Sequence, residues 1–155
     1  MSDAYDRLKA RFARIGAINE AAGMLHWDAS AMMPPGGGEA RGEQLAALAG
    51  IAHELLVAPE VATDLAAATA DGEWDQANLR LMRRTHARAT ALPVALVEAV
   101  SRANSTCEKV WREAKADADF GKVAKLLAEV VHLQRETAQA LAAALARTRR
   151  RNGQH

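Results

Sequence analysis

The sequence has one cysteine, few aromatic residues and no long apolar run, and each shortage excludes a class of protein. Cys107 is the only cysteine among 155 residues, which excludes an intramolecular disulfide and a multi-cysteine metal site. No run of about 18 apolar residues occurs, and the charged N-terminus lacks the apolar region of a signal peptide. We therefore expect a soluble, cytoplasmic protein of bacterial type with no membrane partner.

The sequence also has no large excess of positive or negative charge. The formal net charge is +1, from 20 Lys and Arg against 19 Asp and Glu. Four cations lie near the C-terminus, and without them 16 cations face 19 anions, a balance of −3. They are Arg147, Arg149, Arg150 and Arg151. Nucleic-acid binding is therefore not expected for the body of the protein, while a basic-tailed binding module stays open as an alternative.

Alanine dominates the composition and favours helices. The chain has 37 Ala, the strongest helix former, whereas Phe, Trp and Tyr together make up 4%. Apolar residues recur three and four positions apart, and no segment alternates with period two. The sequence predicts an all-α fold, a bundle of about six helices, as one domain over residues 1–147 with a basic tail over 148–155.

Proline, glycine and capping residues set the predicted helix boundaries. The helices are expected at about Asp3–Ala29, Glu39–Val57, Pro59–Ala70, Glu73–Thr90, Val94–Ala118 and Phe120–Arg149. Ser2 and Asp119 are the predicted N-caps of the first and the last. Trp74, Ala77, Leu81 and Met82 are predicted to face inward from the fourth.

The corner between the first two helices is the most informative stretch. Two prolines and three glycines interrupt the helical pattern there, yet a Trp and two Met lie beside them, although loops are usually polar. We predict a structural corner made of His26, Trp27, Asp28, Met32, Met33, Pro34 and Pro35. Trp27 should pack, and Asp28 or His26 should hydrogen-bond loop backbone. A packed Trp27 would cost about 3–5 kcal/mol on truncation to Ala.

Other functional interpretations of these residues remain open but weaker. His26 and Asp28 could form an acid/base pair beside Trp27. Gly36–Gly38 precede a helix N-terminus that could cradle an anion, although the Lys-Ser/Thr ending of a phosphate loop is missing.

Elsewhere, Glu129 and His132 spell a single Glu-x-x-His, which occurs twice in di-iron bundles. We interpret His132 as an exposed histidine on a helix. Cys107 fits a small core residue better than a nucleophile.

Several stretches resemble one protein family in order. They are L-H-W-D followed by M-M-P-P-G-G at the corner, R-G-E-Q-L-A-A-L-A-G-I-A-H-E, W-D-Q-A-N-L-R-L-M-R-R, A-T-A-L-P-V-A-L-V-E and V-W-R-E-A-K-A-D-A-D-F. Together they resemble the N-terminal region of the carboxypeptidase Taq family of zinc metallocarboxypeptidases. The family's members are several times longer, so the resemblance indicates a truncated homologue.

The resemblance implies zinc chemistry in the family that this chain does not carry. Family members hold zinc through both His of H-E-x-x-H and a downstream Glu, with the Glu of that motif as general base. Here the nearest approach is His53-Glu54-Leu55-Leu56-Val57, and valine cannot bind a metal. We expect no cofactor, no catalytic residue and no enzyme activity from the chain alone. An interaction role, with a residual peptide-binding surface, is the first hypothesis; half of a split carboxypeptidase, completed by a separate H-E-x-x-H chain, is the alternative.

The sixth predicted helix suggests self-association. Its apolar residues span roughly 160° of the helix surface, wider than the ~100° that one core requires. They are Val123, Leu126, Leu127, Val130, Val131 and Leu133. We expect a twofold homodimer to bury the excess.

Overall fold

The computed structural model describes residues 2–152, with side chains throughout that range except at positions 35, 145 and 147–152. Six α-helices follow one another, and no strand occurs in the described range. They are α1 (Asp3–Ala31), α2 (Gly38–Val57), α3 (Pro59–Ala67), α4 (Glu73–Ala89), α5 (Val94–Ala116) and α6 (Gly121–Asn152), with a short 3-10 turn at Pro35–Gly37 between the first two. The predicted all-α fold is confirmed, and most boundaries lie within two residues of those predicted.

The start of α1 is capped as predicted. The Ser2 hydroxyl accepts a hydrogen bond from the Tyr5 N–H at 3.4 Å, which satisfies one of the free donors at the helix start. The same oxygen accepts from the Thr69 N–H at 3.0 Å, just beyond α3. One serine therefore caps α1 and holds the end of α3 beside it.

The principal hydrophobic core lies between α1, α3 and α4. Its buried residues are Ala4, Tyr5, Leu8, Val61, Leu65, Ala68 and Leu79. The Tyr5 hydroxyl donates to Asp75 Oδ1 at 2.9 Å, so the one polar atom of this buried ring is satisfied. Burial and this carboxylate raise the pKa of Tyr5 above its usual value.

The prediction that Trp74 and Leu81 face inward is wrong. Leu79 is buried on the inner side of α4, whereas Trp74 is 78% exposed and Leu81 50% exposed. Trp74 and Leu81 are seven positions apart and share a face, but that face points away from the core. Spacing identified a common face without showing which neighbour it meets.

Polar side chains fasten the helices to one another. Arg7 donates from Nε and Nη2 to Asp64 Oδ1, at 3.0 and 2.6 Å, and so joins α1 to α3. This guanidinium lowers the pKa of the Asp64 carboxyl below its usual range. Arg83 donates to the carbonyls of Leu65 and Ala68, the free acceptors at the end of α3.

The hairpin of α5 and α6 turns through a residue with positive φ. Ala118 has φ 52°, its N–H bonds to Lys115 O, and the Asp119 N–H bonds to Ala114 O, which together form a Schellman motif. Asp119 Oδ1 accepts from the Gly121 N–H at 3.0 Å, but the predicted N-cap is one residue early, because α6 starts at Gly121 and Phe120 precedes it.

Helix α6 continues to Asn152, three residues beyond the predicted end. The Arg147 and Arg149–Arg151 side chains, on which the basic-tail prediction depends, and residues 153–155 lie outside the described part. No single helix in the described range is both long and apolar enough to cross a membrane, whereas α2 and α3 together meet that test of length and composition, with a 45° bend between them.

Candidate interaction site

The corner between α1 and α2 is fixed by an ion pair that sequence reasoning missed. Arg41, in the second turn of α2, donates from Nη1 to the Asp28 carboxylate and to the Leu25 carbonyl at 2.9 Å. The expectation that the Asp28 or His26 side chain binds loop backbone is therefore wrong for Asp28, whose carboxylate meets a guanidinium. Loop N–H groups bond instead to the Asp28 main-chain oxygen, from Met32 at 2.9 Å and Met33 at 2.8 Å.

The expected packing of the corner holds for one of its three large apolar residues. Met33 is half-buried, and its Cγ lies 2.9 Å from where a Cβ at Gly37 would stand, so a larger residue there would displace the Met33 side chain. Trp27 is 58% exposed and Met32 70% exposed, which contradicts the prediction that both are packed. Trp27 lies within α1, as it does within the predicted helix, but it occupies a face of α1 that the rest of the fold leaves uncovered. Pro34 is exposed and extended.

A small cavity of about 70 Å³ lies between α1, α2 and α5, beneath this corner. Its lining includes His26, Arg41, Glu108 and Arg112, and Arg112 donates to the Ser30 hydroxyl at 2.7 Å. The volume is about half that of the ~150 Å³ engineered cavity that admits benzene. The cavity is therefore too small for a peptide side chain of aromatic size, and its charged groups fasten helices together.

Of the four histidines that the structure describes, three contact a backbone oxygen or a single carboxylate. His53 Nε2 lies 2.8 Å from Leu92 O, and His86 Nδ1 lies 2.9 Å from Leu56 O, so both rings tie helix ends to neighbouring segments. His132 is exposed and lies 3.3 Å from Glu136, on the same helix. Among the side chains that the structure describes, no group of three or more His, Cys, Asp or Glu could hold a metal ion.

The glycine stretch forms the short turn Pro35–Gly37 and has no side-chain cap at Gly37, the residue before α2. Lys109 packs against it, with Nζ 3.0 Å from where a Cβ at Gly38 would stand. An added Cβ at Gly38 would meet only the flexible end of Lys109, and one at Gly36 would meet open space, so the stretch is a short turn before α2.

An apolar groove along α5 and α6 is the strongest candidate for an interaction site. It encloses about 470 Å³ and is lined by Asn104, Cys107, Glu108, Trp111, Phe120, Val123, Leu127 and Val130. Cys107 and Val123 are buried at its floor, whereas Trp111 and Phe120 stand exposed at its sides. The Lys115 ammonium lies 5.1 Å from the centre of a Trp111 ring, a cation–π contact. We call this surface, from Asn104 to Val130, the hairpin groove.

Two features of these sites were not predicted, and the sequence carries a signal for the first of them. A cation near the start of a helix opposes the helix dipole, so Arg41 at that place indicates a specific anionic partner, which Asp28 supplies. The exposure of Trp111 and Phe120 had no such signal, because an apolar residue at helical spacing looks the same whether its face is covered or open.

Comparison with known proteins identifies the family. A model described as Carboxypeptidase Taq (M32) metallopeptidase matches residues 7–149. Thermostable carboxypeptidase 1 of Pyrococcus furiosus is 30% identical over 143 residues, which cover 90% of this chain and 29% of that protein. Thermostable carboxypeptidase 1 of Thermus thermophilus is 32% identical over 153 residues, which cover 88% of this chain and 27% of that protein. The chain thus spans less than a third of the length of these relatives.

Solved structures agree in fold. The crystal structure of BsuCP matches 90% of this chain and 29% of its own with a TM-score of 0.84, at 18% identity. The structure of Pyrococcus furiosus carboxypeptidase, in a form called Apo-Mg, matches 91% of this chain and 29% of its own with a TM-score of 0.69, at 29% identity. With nearly the whole chain matched by the family model, this protein belongs to the carboxypeptidase Taq (M32) metallopeptidase family.

Proposed function

We propose that this chain is a non-catalytic helical interaction module related to the N-terminal region of carboxypeptidase Taq enzymes. The observation that carries the proposal is the hairpin groove, where Trp111 and Phe120 are exposed beside a buried apolar floor. Aromatic side chains each bury about 150–250 Å² when covered, and exposed apolar patches usually mark an association surface. A residual role in peptide binding would use this same groove.

The proposed occupant of the groove is a second copy of this chain. On α6, Val123 and Leu133 are buried against the rest of the fold, whereas Leu127 and Val131 remain exposed. The wide apolar stripe is thus only partly covered within one molecule. A twofold contact along α6 would bury the rest on both copies at once.

Sedimentation velocity over a range of protein concentrations tests the homodimer. We expect a dimer at micromolar concentration, and we expect Leu127→Glu with Val131→Glu to convert it to a folded monomer. Lys125→Glu with Arg135→Glu, on exposed positions of the same helix, is the matched control and should leave the dimer intact. A stable monomer at high micromolar concentration would refute the self-association.

The absence of zinc chemistry in the isolated chain remains a prediction. The residue one turn after His53 is Val57, so the sequence offers no H-E-x-x-H motif. We expect elemental analysis of the purified protein to find no stoichiometric zinc, and an assay with blocked peptides to find no release of C-terminal amino acids. One tightly held zinc, together with turnover that a chelator abolishes, would overturn the proposal.

The second candidate is one half of a split carboxypeptidase. It is favoured by the length of the relatives, of which this chain matches only 29% and 27%, and by the open hairpin groove. If a neighbouring gene encodes an H-E-x-x-H chain, co-expression should give a complex with chelator-sensitive activity that Trp111→Ser and Phe120→Ser disrupt. Trp27→Ser is the control. A co-expressed chain that neither binds nor gains activity would exclude this alternative.

Two finer proposals come from the sequence. The single cysteine suits a reducing cytoplasm, which we propose as the compartment.

The basic-tailed module stays the weakest candidate function, since the tail is its sole support. Binding to duplex DNA that falls steeply between 50 and 200 mM salt would support it, and no binding at low salt would exclude it.

A further inference from the structure

The second half of α4 carries an unusual concentration of positive charge. Arg80, Arg83, Arg84 and Arg88 occur within nine residues, and the sequence has no acidic residue between Asp75 and Glu98. Arg80, Arg84 and Arg88 are four positions apart, so their side chains form one row along the helix. At 1.5 Å per residue the row is about 12 Å long.

This row has no counter-charge paired with it in the described part of the chain. Arg83 is used within the fold, because it donates to the carbonyls of Leu65 and Ala68. Arg80, Arg84 and Arg88 are exposed, and within the described residues none of them forms an ion pair or a side-chain hydrogen bond. Like charges four positions apart on a helix repel one another. Arg88 lies in the last turn, where the helix dipole favours it, but that reason does not extend to Arg80 in mid-helix.

An apolar ridge runs beside the row. Trp74 and Leu81 are the two exposed large apolar residues of α4, and seven positions place them about 20° apart around the helix axis. At 100° per residue, Arg88 and Arg84 lie roughly 40° and 80° from Trp74 on the same side. Leu79 is buried on the opposite side of α4, within the principal core. The outward face of α4 therefore combines two apolar anchors with three free guanidinium groups.

We propose that this face, defined by Trp74, Leu81, Arg80, Arg84 and Arg88, binds an acidic amphipathic helix of a partner protein. Carboxylates on one ridge of the partner helix would pair with the three guanidinium groups, which suit carboxylates through their bidentate geometry. Apolar side chains on the adjoining ridge would cover the anchors, whose i, i+7 spacing is typical of helix recognition.

The observations favour a protein helix over other anionic partners. A row of three cations over about 12 Å can neutralise few phosphates, so it gives little affinity for nucleic acid at physiological salt. Insertion into a membrane surface needs a broad apolar face, and α4 offers two exposed large apolar side chains while its other face is packed on the core. The inference does not depend on the hairpin groove or on the proposed function, because it concerns a different helix.

The test uses a synthetic probe and the full-length chain. The probe is a fluorescein-labelled, end-capped 18-residue helix with Glu at every fourth position on one ridge and Leu seven positions apart on the next. Its binding is followed by fluorescence anisotropy at 50 and 300 mM NaCl. We expect the triple variant Arg80→Gln, Arg84→Gln, Arg88→Gln to lower affinity at least tenfold, Trp74→Ala to lower it several-fold, and the same probe with Gln in place of Glu to bind weakly.

Matched variants separate the site from general charge. Arg14→Gln, Lys125→Gln, Arg135→Gln removes three exposed cations elsewhere, and Trp27→Ala removes another exposed Trp; both should bind the probe like the parent protein. All variants should retain the helical circular dichroism of the parent. Equal losses in the two triple variants, or no binding of the probe, would overturn the proposal. Tighter binding of a 12-nucleotide single strand or of phosphatidylserine vesicles, abolished by the same α4 variant, would overturn it in favour of that partner class.

Discussion

Two hydrophobic clusters in the described part of the molecule differ in how completely the chain covers them. The principal core joins α1, α3 and α4 and fully encloses Tyr5, Leu8 and Val61. The cluster of the α5–α6 hairpin buries only Cys107, Ala114 and Val123, with larger apolar residues left half-covered around it.

The difference follows from topology. In the principal core, α1 comes from a distant part of the sequence and shares buried residues with α3 and α4, and Ser2 and the Arg7–Asp64 pair fasten α1 to the α3 segment. In the hairpin, two consecutive helices cover one side of each other, and among the described residues α5 is the one helix that packs extensively against α6. The principal core is therefore covered within one molecule. The α5–α6 hairpin keeps exposed apolar surface that an association would bury.

The largest expected effect compares the same substitution in the two regions. Leu8 is 1% exposed, and Leu8→Ala should cost about 2–5 kcal/mol of unfolding free energy through lost burial and a cavity. Leu127 is 40% exposed, and Leu127→Ala should cost about 1 kcal/mol or less. Urea unfolding at low protein concentration, where association contributes little, checks both values. Equal costs would remove the distinction between the clusters.

The second prediction concerns pH and the pair that fastens the principal core. The Arg7 guanidinium holds the pKa of Asp64 below its unfolded value, so the stabilisation is fully present above about pH 4 and is lost as pH falls through the native pKa. The melting temperature of Asp64→Asn should therefore lie below that of the parent at pH 7, and the gap should shrink below about pH 4.

The matched control is Glu136→Gln, because Glu136 pairs with His132 on exposed positions of α6. Exposed pairs contribute little, so its melting curve should follow the parent at both pH values. A gap for Asp64→Asn that stays constant down to pH 2 would show that ionisation of this carboxyl is not what stabilises the pair.

The helix boundaries were predictable because the residues that start and end a helix act within one turn. Pro59, Pro93 and Ser2 mark helix starts through backbone chemistry that acts within one turn, and the observed starts agree. The end of α3 was predicted three residues too late, at Ala70, because alanine-rich sequence favours helix and gives no stop signal before Asp71-Gly72.

The surfaces were predictable only in part, because exposure depends on partners far along the chain. The apolar spacing of α6 correctly indicated a stripe wider than one neighbour covers, and Leu127 and Val131 are its exposed remainder. The same reasoning placed Trp27 and Trp74 inside, and it failed because apolar character reveals that a face can be buried, not that this chain buries it.

The third prediction revises the cost of removing Trp27. A packed Trp would lose about 3–5 kcal/mol on truncation to Ala, but the observed exposure leaves less than half of the side chain to contribute. We expect about 1–2 kcal/mol in urea unfolding at low concentration. A loss above about 3 kcal/mol, especially one that grows with protein concentration, would show that Trp27 is covered in an assembly and would move the association surface to the corner.

The smallest expected effect is a gain in stability at the turn of the less covered region. Ala118 holds φ 52°, a left-handed conformation that costs a residue with a Cβ about 1–2 kcal/mol, and the Schellman motif at the end of α5 normally has glycine there. Gly relieves that strain but loses about 0.5–1 kcal/mol of backbone entropy, so Ala118→Gly should stabilise by roughly 0.5–1 kcal/mol.

Ala128→Gly, in the exposed interior of α6, is the opposite control and should destabilise by about 1 kcal/mol. Thermal unfolding of the three proteins in parallel measures both shifts. If Ala118→Gly melts below the parent, the left-handed turn is not the conformation in solution, and the geometry of the hairpin groove would have to be redrawn.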